Sequence, residues 1–373
     1  MTVKKERVYY ADVLRILAIV LVVAVHVLGG WYGRYYDTNR PVYGLLIFCG
    51  TLCSIAVPSF LMLTGAFMLS KSSHGNYWSY FKKRVLNLLI PFLGFSLLYY
   101  WYAHRHNITE MSLLGFIENF TTGNVMYHFW FMYIILLVYL FIPFLSPLVH
   151  KISRSSLRTL IIVLSVTNVL KTVSIFLKYF DQSAFDALVF PDFFVIINYT
   201  LIGYYLFHYD IAKSKRRLIY GLGALSAMVA LLLDVALSTI STREAILSYW
   251  CVTPMLMSMA VFLFLKYNCP DLGRSKIWKK ILSFLVPLVF YIYMIHVLVM
   301  DRVLFYMLPR FNPRNFVEIC GFMAVELAAI LGISCVGALI TQRFYMACCS
   351  ITKRISHDIS RTRDGRSKTT QQT

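Results

Sequence analysis

Arg15 and His26 stand eleven residues apart in the apolar run DVLRILAIVLVVAVHV. At 100° per residue that interval is three turns plus about 20°, so on a helix both side chains share one stripe. They lie about 16 Å apart along its axis. A neutral imidazole can take the proton of a hydroxyl, make its oxygen nucleophilic, and later return the proton to a leaving group. Asp12, three residues before Arg15, is spaced to pair with the guanidinium. The bland reading of His26 is a hydrogen bond to a neighbouring helix. Two ionisable groups aligned in one apolar helix still make a functional-site hypothesis by default.

That stripe needs a membrane helix, and the composition supplies many. Of the 373 residues, 59% are hydrophobic and 14% charged, with a mean hydropathy of +0.66. Soluble domains are about a quarter charged, so a soluble globular class is excluded. Ten apolar runs are each long enough to cross the hydrocarbon layer as a helix. They are 9–30, 44–69, 86–103, 127–147, 160–177, 191–208, 218–237, 249–267, 281–300 and 316–342. The short alternating pattern of outer-membrane strands is missing from them, which excludes a barrel. The expected fold is an all-α integral membrane protein of about ten transmembrane helices.

The basic excess has a location. With the N-terminus cytoplasmic, 26 of the 36 Lys and Arg residues fall on inner segments and 8 on outer loops. This bias predicts both termini cytoplasmic. It also accounts for the +19 charge through topology and leaflet attraction, with no nucleic-acid partner. One membrane-embedded domain is expected over 1–350, followed by a basic, disordered cytoplasmic tail over 351–373. The opening reads as a first span rather than a cleaved leader, because GGWYG offers no small-x-small site. The eight cysteines include no CxxC pair, and no metal is predicted. His104, Arg105 and His106 sit in the longest outer loop without a ligand set to complete a metal site.

Further candidates fall inside spans. His296 follows Tyr293 deep in the ninth run, either as a structural hydrogen-bonding group or in support of a site. His128 and Trp130 open the fourth run, where aromatic residues ordinarily anchor the interface. Asp234 and Glu326 lie well inside apolar runs and are expected to pair with Lys171 or with each other, or to orient a catalytic group. Prolines at 58, 91, 143, 191, 254 and 287 predict kinks or broken turns.

Taken together, short motifs along the chain resemble the acyltransferase-3 family of multipass membrane O-acyltransferases. The opening D-x-L-R, then A-x-x-x-V-x-x-x-H ending at His26, carries the first likeness. Val57-Pro58-Ser59-Phe60-Leu61-Met62-Leu63-Thr64-Gly65 is similar to the family's V-P-x-F-F-M-x-S-G. Lys82-Lys83-Arg84-Val85-Leu86, running on to Pro91-Phe92, looks like its basic approach to the third span. His128-Phe129-Trp130-Phe131-Met132-Tyr133 resembles its W-F-L-Y segment. Leu201-Ile202-Gly203-Tyr204-Tyr205 and Tyr293-Met294-Ile295-His296 match later landmarks.

The resemblance spans about residues 8–345. It implies transfer of an acyl group, usually acetyl and sometimes succinyl, from cytoplasmic acetyl-CoA or another acyl-CoA to a hydroxyl of a cell-surface or lipid-linked saccharide. The setting it implies is the bacterial cytoplasmic membrane. His26 would be the base, with Arg15 and Asp12 as companions, while Arg84 and Lys83 would face the donor's phosphates. His296, Tyr293, His128 and Trp130 would support the site. Many members carry a second arginine three residues after the first in the third span; here that position is Asn87. Direct attack on the thioester and a histidine-acyl relay both fit these residues. The rival class is a transporter or flippase of a glycan precursor, with Asp234, Glu326 and His26 as relay groups.

Overall fold

The computed structural model describes residues 7–35, 39–70, 77–180, 192–236, 249–269, 275–307 and 315–369. Among them every regular element is helical. Helix α1 covers Tyr9–Tyr35, α2 Arg40–Cys53, α3 Ala56–Met68 and α4 Tyr77–His104. The loop that follows carries a 3-10 turn, Ile108–Glu110, and α5, Leu113–Thr122. A second 3-10 turn, Tyr127–Phe129, leads into α6, Trp130–Lys151. Next come α7 (Arg154–Phe180), α8 (Asp192–His208), α9 (Lys213–Ala236) and α10 (Val252–Asn268). Helix α11, Lys276–Leu285, joins α12, Val289–Met307, through the 3-10 turn Val286–Leu288, and α13 covers Phe316–Thr369.

Eight spans among the described residues are long and apolar enough to cross a membrane, two fewer than the ten apolar runs. The two exceptions are α8 and α10, each of 17 residues. Seventeen residues rise only about 25 Å, short of the hydrocarbon thickness. Helix α8 is also wrapped by protein, with 11 of its 17 residues buried. The expected basic tail falls within the bounds of α13, which reach Thr369, and its side chains from 351 onward lie outside the described residues.

The run 44–69 is not one helix, because it breaks at Ser54 and Ile55 between α2 and α3. Pro58 explains the break, since it lacks the N–H that would bond the Ser54 carbonyl one turn back. Ser258 of α10 donates to the Ile55 carbonyl at 3.4 Å, so a neighbouring helix satisfies a group near the interruption. Pro287 marks the similar join between α11 and α12.

At the centre, α3 lies against α8 with backbones in contact. A Cβ added to Gly65 would fall 1.8 Å from the Thr200 carbonyl oxygen. One added to Gly203 would fall 1.9 Å from that of Met62. Lipid tails are as apolar as leucine, so close backbone approach at small residues drives such pairing. Both glycines belong to the motifs quoted above, and here their role is packing.

Polar ties fasten the outer helices to this pair. Asn198 of α8 donates to the Asn168 side-chain oxygen of α7 at 3.0 Å, and Asn168 donates to the Trp250 carbonyl at 3.0 Å. Lys171 pairs with Asp192 at 2.7 Å. The expected pairing of Asp234 and Glu326 with Lys171 or with each other is therefore corrected. Thr51 donates to Asp234 at 2.8 Å, and the Trp31 indole donates to Glu326 at 2.9 Å. The three groups lie on helices that pack against different neighbours, so each finds the nearest complementary atom.

One end of the bundle gathers the basic residues. There the Ser146 hydroxyl donates to the Leu69 carbonyl at 3.3 Å, and Arg154 donates to that of Asp210 at 2.7 Å. Lys266 reaches the Leu206 carbonyl at 2.9 Å, close to the C-terminus of α8. The opposite end carries the loop with α5.

Candidate active site

Helix α1 packs against α2, α3, α10, α12 and α13, so one helix threads the protein's interior. Its stripe behaves as the spacing predicts, with a distinct cluster of side chains at each end.

At the end beside the α5 loop, termed the outer end, His26 meets two histidines from distant parts of the chain. Its ring centroid is 5.2 Å from that of His296 on α12 and 6.5 Å from that of His128. His128 and His296 are 5.1 Å apart. His26 is partly exposed, whereas His128 and His296 are 1% and 0% exposed. The Nδ1 of His296 bonds the Tyr293 carbonyl at 2.7 Å. A carbonyl only accepts, so Nδ1 carries the proton, and in the neutral ring Nε2 is the lone-pair nitrogen. That Nε2, like both ring nitrogens of His128, has no hydrogen-bond partner among the described residues.

Phenols frame the cluster. Tyr127 lies 5.4 Å from His26 and Tyr99 5.5 Å from His128, centroid to centroid. The Tyr293 hydroxyl donates to the His128 carbonyl, and the Tyr99 hydroxyl to that of Met294 at 3.0 Å. These bonds join α4 and the turn before α6 to α12. Phe129 packs edge-on against Phe92 at 5.2 Å, and Phe92 meets Phe120 of α5 at 5.4 Å. The outer loop is thereby locked beside the imidazoles by aromatic contact.

The opposite end of the stripe, termed the inner end, is made of ion pairs. Asp12, 4% exposed, accepts from Arg15 at 2.6 Å and from Arg7 at 2.5 Å. The Arg15 guanidinium also sits 4.4 Å above the Phe67 ring of α3. Arg15 and Arg84 both lie close enough to the Tyr139 hydroxyl to act on it electrostatically. Tyr80 of α4 donates to the Tyr139 carbonyl at 3.2 Å. Arg84 is half-buried and Asn87 exposed, while the side chain of Lys83 lies outside the described residues.

His26, His128, His296 and Tyr293 thus come together, and Asp12, Arg15 and Arg84 form the second group. Trp130 stands apart from the imidazoles. It stacks on Tyr249 at 5.6 Å and meets Trp250 edge-on at 6.0 Å. Sequence reasoning missed Arg7, Tyr99, Tyr127 and Tyr139, all of common types in a chain with 26 tyrosines. The one signal for Arg7, Tyr99 and Tyr127 was position, at the ends of spans that also carry the motifs; Tyr139, in the middle of α6, gave none.

His104 bonds the Tyr100 carbonyl at 2.9 Å and Arg105 lies 4.0 Å over the Tyr102 ring, so neither waits for a ligand. Among the described residues, no group of three or more His, Cys, Asp or Glu is placed to hold a metal ion.

The fold and this geometry define a multipass, all-helical membrane protein that buries an imidazole cluster beside its first helix. The chain belongs to the acyltransferase-3 family, whose acyltransferase domain matches residues 8–341. It is accordingly a membrane acyltransferase. No curated protein and no solved structure matches it.

Proposed function

We propose that this acyltransferase moves an acyl group, acetyl by preference, from cytoplasmic acyl-CoA to a hydroxyl of a cell-surface or lipid-linked saccharide. The observation that carries the reading is the meeting of three imidazoles from α1, the turn before α6 and α12, on the helix that also bears Arg15. On this reading the basic end faces the cytoplasm, with both termini there, and the membrane is a bacterial cytoplasmic membrane. Arg84 and Lys83 receive the donor's phosphates, and Arg15, held by Asp12, orders the same end.

His26 is the group that meets the acceptor, being the imidazole of the three that is partly exposed. It takes the hydroxyl proton as the oxygen bonds to the thioester carbonyl carbon. The carbon–sulfur bond then breaks, and the imidazolium returns its proton to the leaving thiolate. His296, with its tautomer set by the Tyr293 carbonyl, keeps Nε2 unbonded, ready to accept from His26 when that ring takes up the proton. His128 and Tyr293 hold the pair in register, and Trp130 serves at a distance by anchoring α6 against the start of α10.

The test uses the full chain in proteoliposomes with labelled acetyl-CoA on the Arg84 side and a saccharide acceptor on the other. An acetyl ester formed by the native chain and lost in His26→Ala supports the reading. Ester formation undiminished in that variant refutes the role of His26. Movement of saccharide without any new ester would instead favour a transporter or flippase.

A further inference from the structure

A cavity of about 700 Å³ opens at the basic end, away from the histidines, between α7, α8, α9 and α10. One part of its lining is cationic: Arg154 and Arg158 on α7, and Lys215 on α9. Another part is aliphatic, formed by Ile162, Ile202, Leu206, Ile219 and Met259. Asp210 is the acidic group in the lining, and its side chain is 95% exposed. The cations therefore outweigh it.

The three cations are not equivalent. Arg154 is exposed but tethered: its Nε–H donates to the Tyr205 hydroxyl at 3.3 Å and another N–H to the Asp210 carbonyl at 2.7 Å. Of its five N–H groups, three remain. Arg158 and Lys215 are exposed, and neither has an ion-pair partner among the described residues. Arg154 opens α7 and Lys215 lies in the first turn of α9, where helix dipoles add positive potential. Cations held at one rim ask for an anion, and a planar guanidinium suits a phosphate.

The aliphatic wall decides which phosphate. A soluble nucleotide or inorganic phosphate would gain nothing from five aliphatic side chains, and a nucleotide's polar base would lose its water against them. Ile162 of the wall is itself 59% exposed, and Leu218, the neighbour of Ile219 in sequence, is 62% exposed, so the wall is not sealed by protein. A phospholipid satisfies both parts, with its phosphate among the cations and the upper part of a chain along the wall. The volume suits a headgroup with part of one chain. Basic pockets between membrane helices on the cytoplasmic side take anionic lipids in this way.

We infer that this cavity is a binding site for an anionic phospholipid of the leaflet at the basic end. The site is separate from the acyl-transfer chemistry, and its assignment does not depend on which acyl group is moved.

Native mass spectrometry of the full chain, released from detergent with phosphatidylglycerol or phosphatidylcholine, tests the assignment. The expected result is preferential retention of phosphatidylglycerol, weakened about 5-fold for each cation removed in Arg158→Ala and Lys215→Ala, and about 25-fold in the double variant. Both side chains are exposed, and thermal unfolding in lipid-free detergent should be unchanged. Ile162→Trp, which narrows the cavity and keeps every charge, should weaken retention as well. Equal retention of the two lipids, or retention undiminished in the double variant, overturns the inference. So does binding of CoA or inorganic phosphate in place of the lipid, if the same double variant abolishes it.

Discussion

The two ends of α1 are built on opposite principles. At the inner end the buried carboxylate is answered twice: Asp12 accepts from both Arg7 and Arg15, and Arg15 also lies over Phe67. At the outer end three buried ring nitrogens, both of His128 and one of His296, have no hydrogen-bond partner among the described residues. A buried charge costs several kcal/mol unless paired, so saturation at the inner end keeps Arg15 where it is. An unpartnered neutral imidazole costs about 1–3 kcal/mol each, tolerable where the nitrogen has a task. On the function proposed above, the contrast teaches that the inner end holds while the outer end reacts.

Substitutions at each end should separate those roles. The largest effect is expected at His26: replacement by alanine should slow acetyl transfer by about 10²–10⁴-fold. Donor affinity, measured by calorimetry with acetyl-CoA, should stay as it was, and so should membrane insertion. A fall in donor affinity of similar size would erase the division of labour.

Arg15→Gln should act in the other sense, weakening donor binding and lowering stability by about 3 kcal/mol, because Asp12 keeps only Arg7. Adding Asp12→Asn to the same chain should restore most of the thermal stability and none of the donor affinity. Recovery of both would reduce Arg15 to a structural charge.

Gly203→Ala should disturb the two ends alike, since its Cβ would strike the Met62 carbonyl within the shared α3–α8 core. A loss of about 1–3 kcal/mol in detergent unfolding is expected. An unchanged unfolding temperature would show that the backbones are free to separate.

His296→Gln has the smallest predicted effect, about tenfold on the transfer rate, roughly the worth of one hydrogen bond. Donor affinity should again be constant. Glutamine can accept from His26, so it should retain more activity than His296→Phe. Equal rates in the two variants would reduce His296 to a space-filling role.

Much of the inner end could be read in advance. Asp12 and Arg15 are three residues apart, and helical periodicity alone brings them together. The same periodicity puts His26 on their stripe, and eight of the ten apolar runs coincide with helical spans long enough to cross a membrane. The outer cluster could not be found that way. His296 lies 270 residues beyond His26, and no local pattern says that α12 packs on α1 with that face inward. Glu326 and Asp234 make the same point, since each had several possible partners and found an indole and a hydroxyl instead.

Composition and spacing therefore settle that this chain enters a membrane as helices, and which residues share a helix face. Both follow from solvation and from the 3.6-residue turn, which act within one segment. Which faces meet is a matter of packing. Contacts such as Gly65 on Thr200 and Gly203 on Met62 choose the neighbours of α1, and that choice gathers three remote histidines into one site.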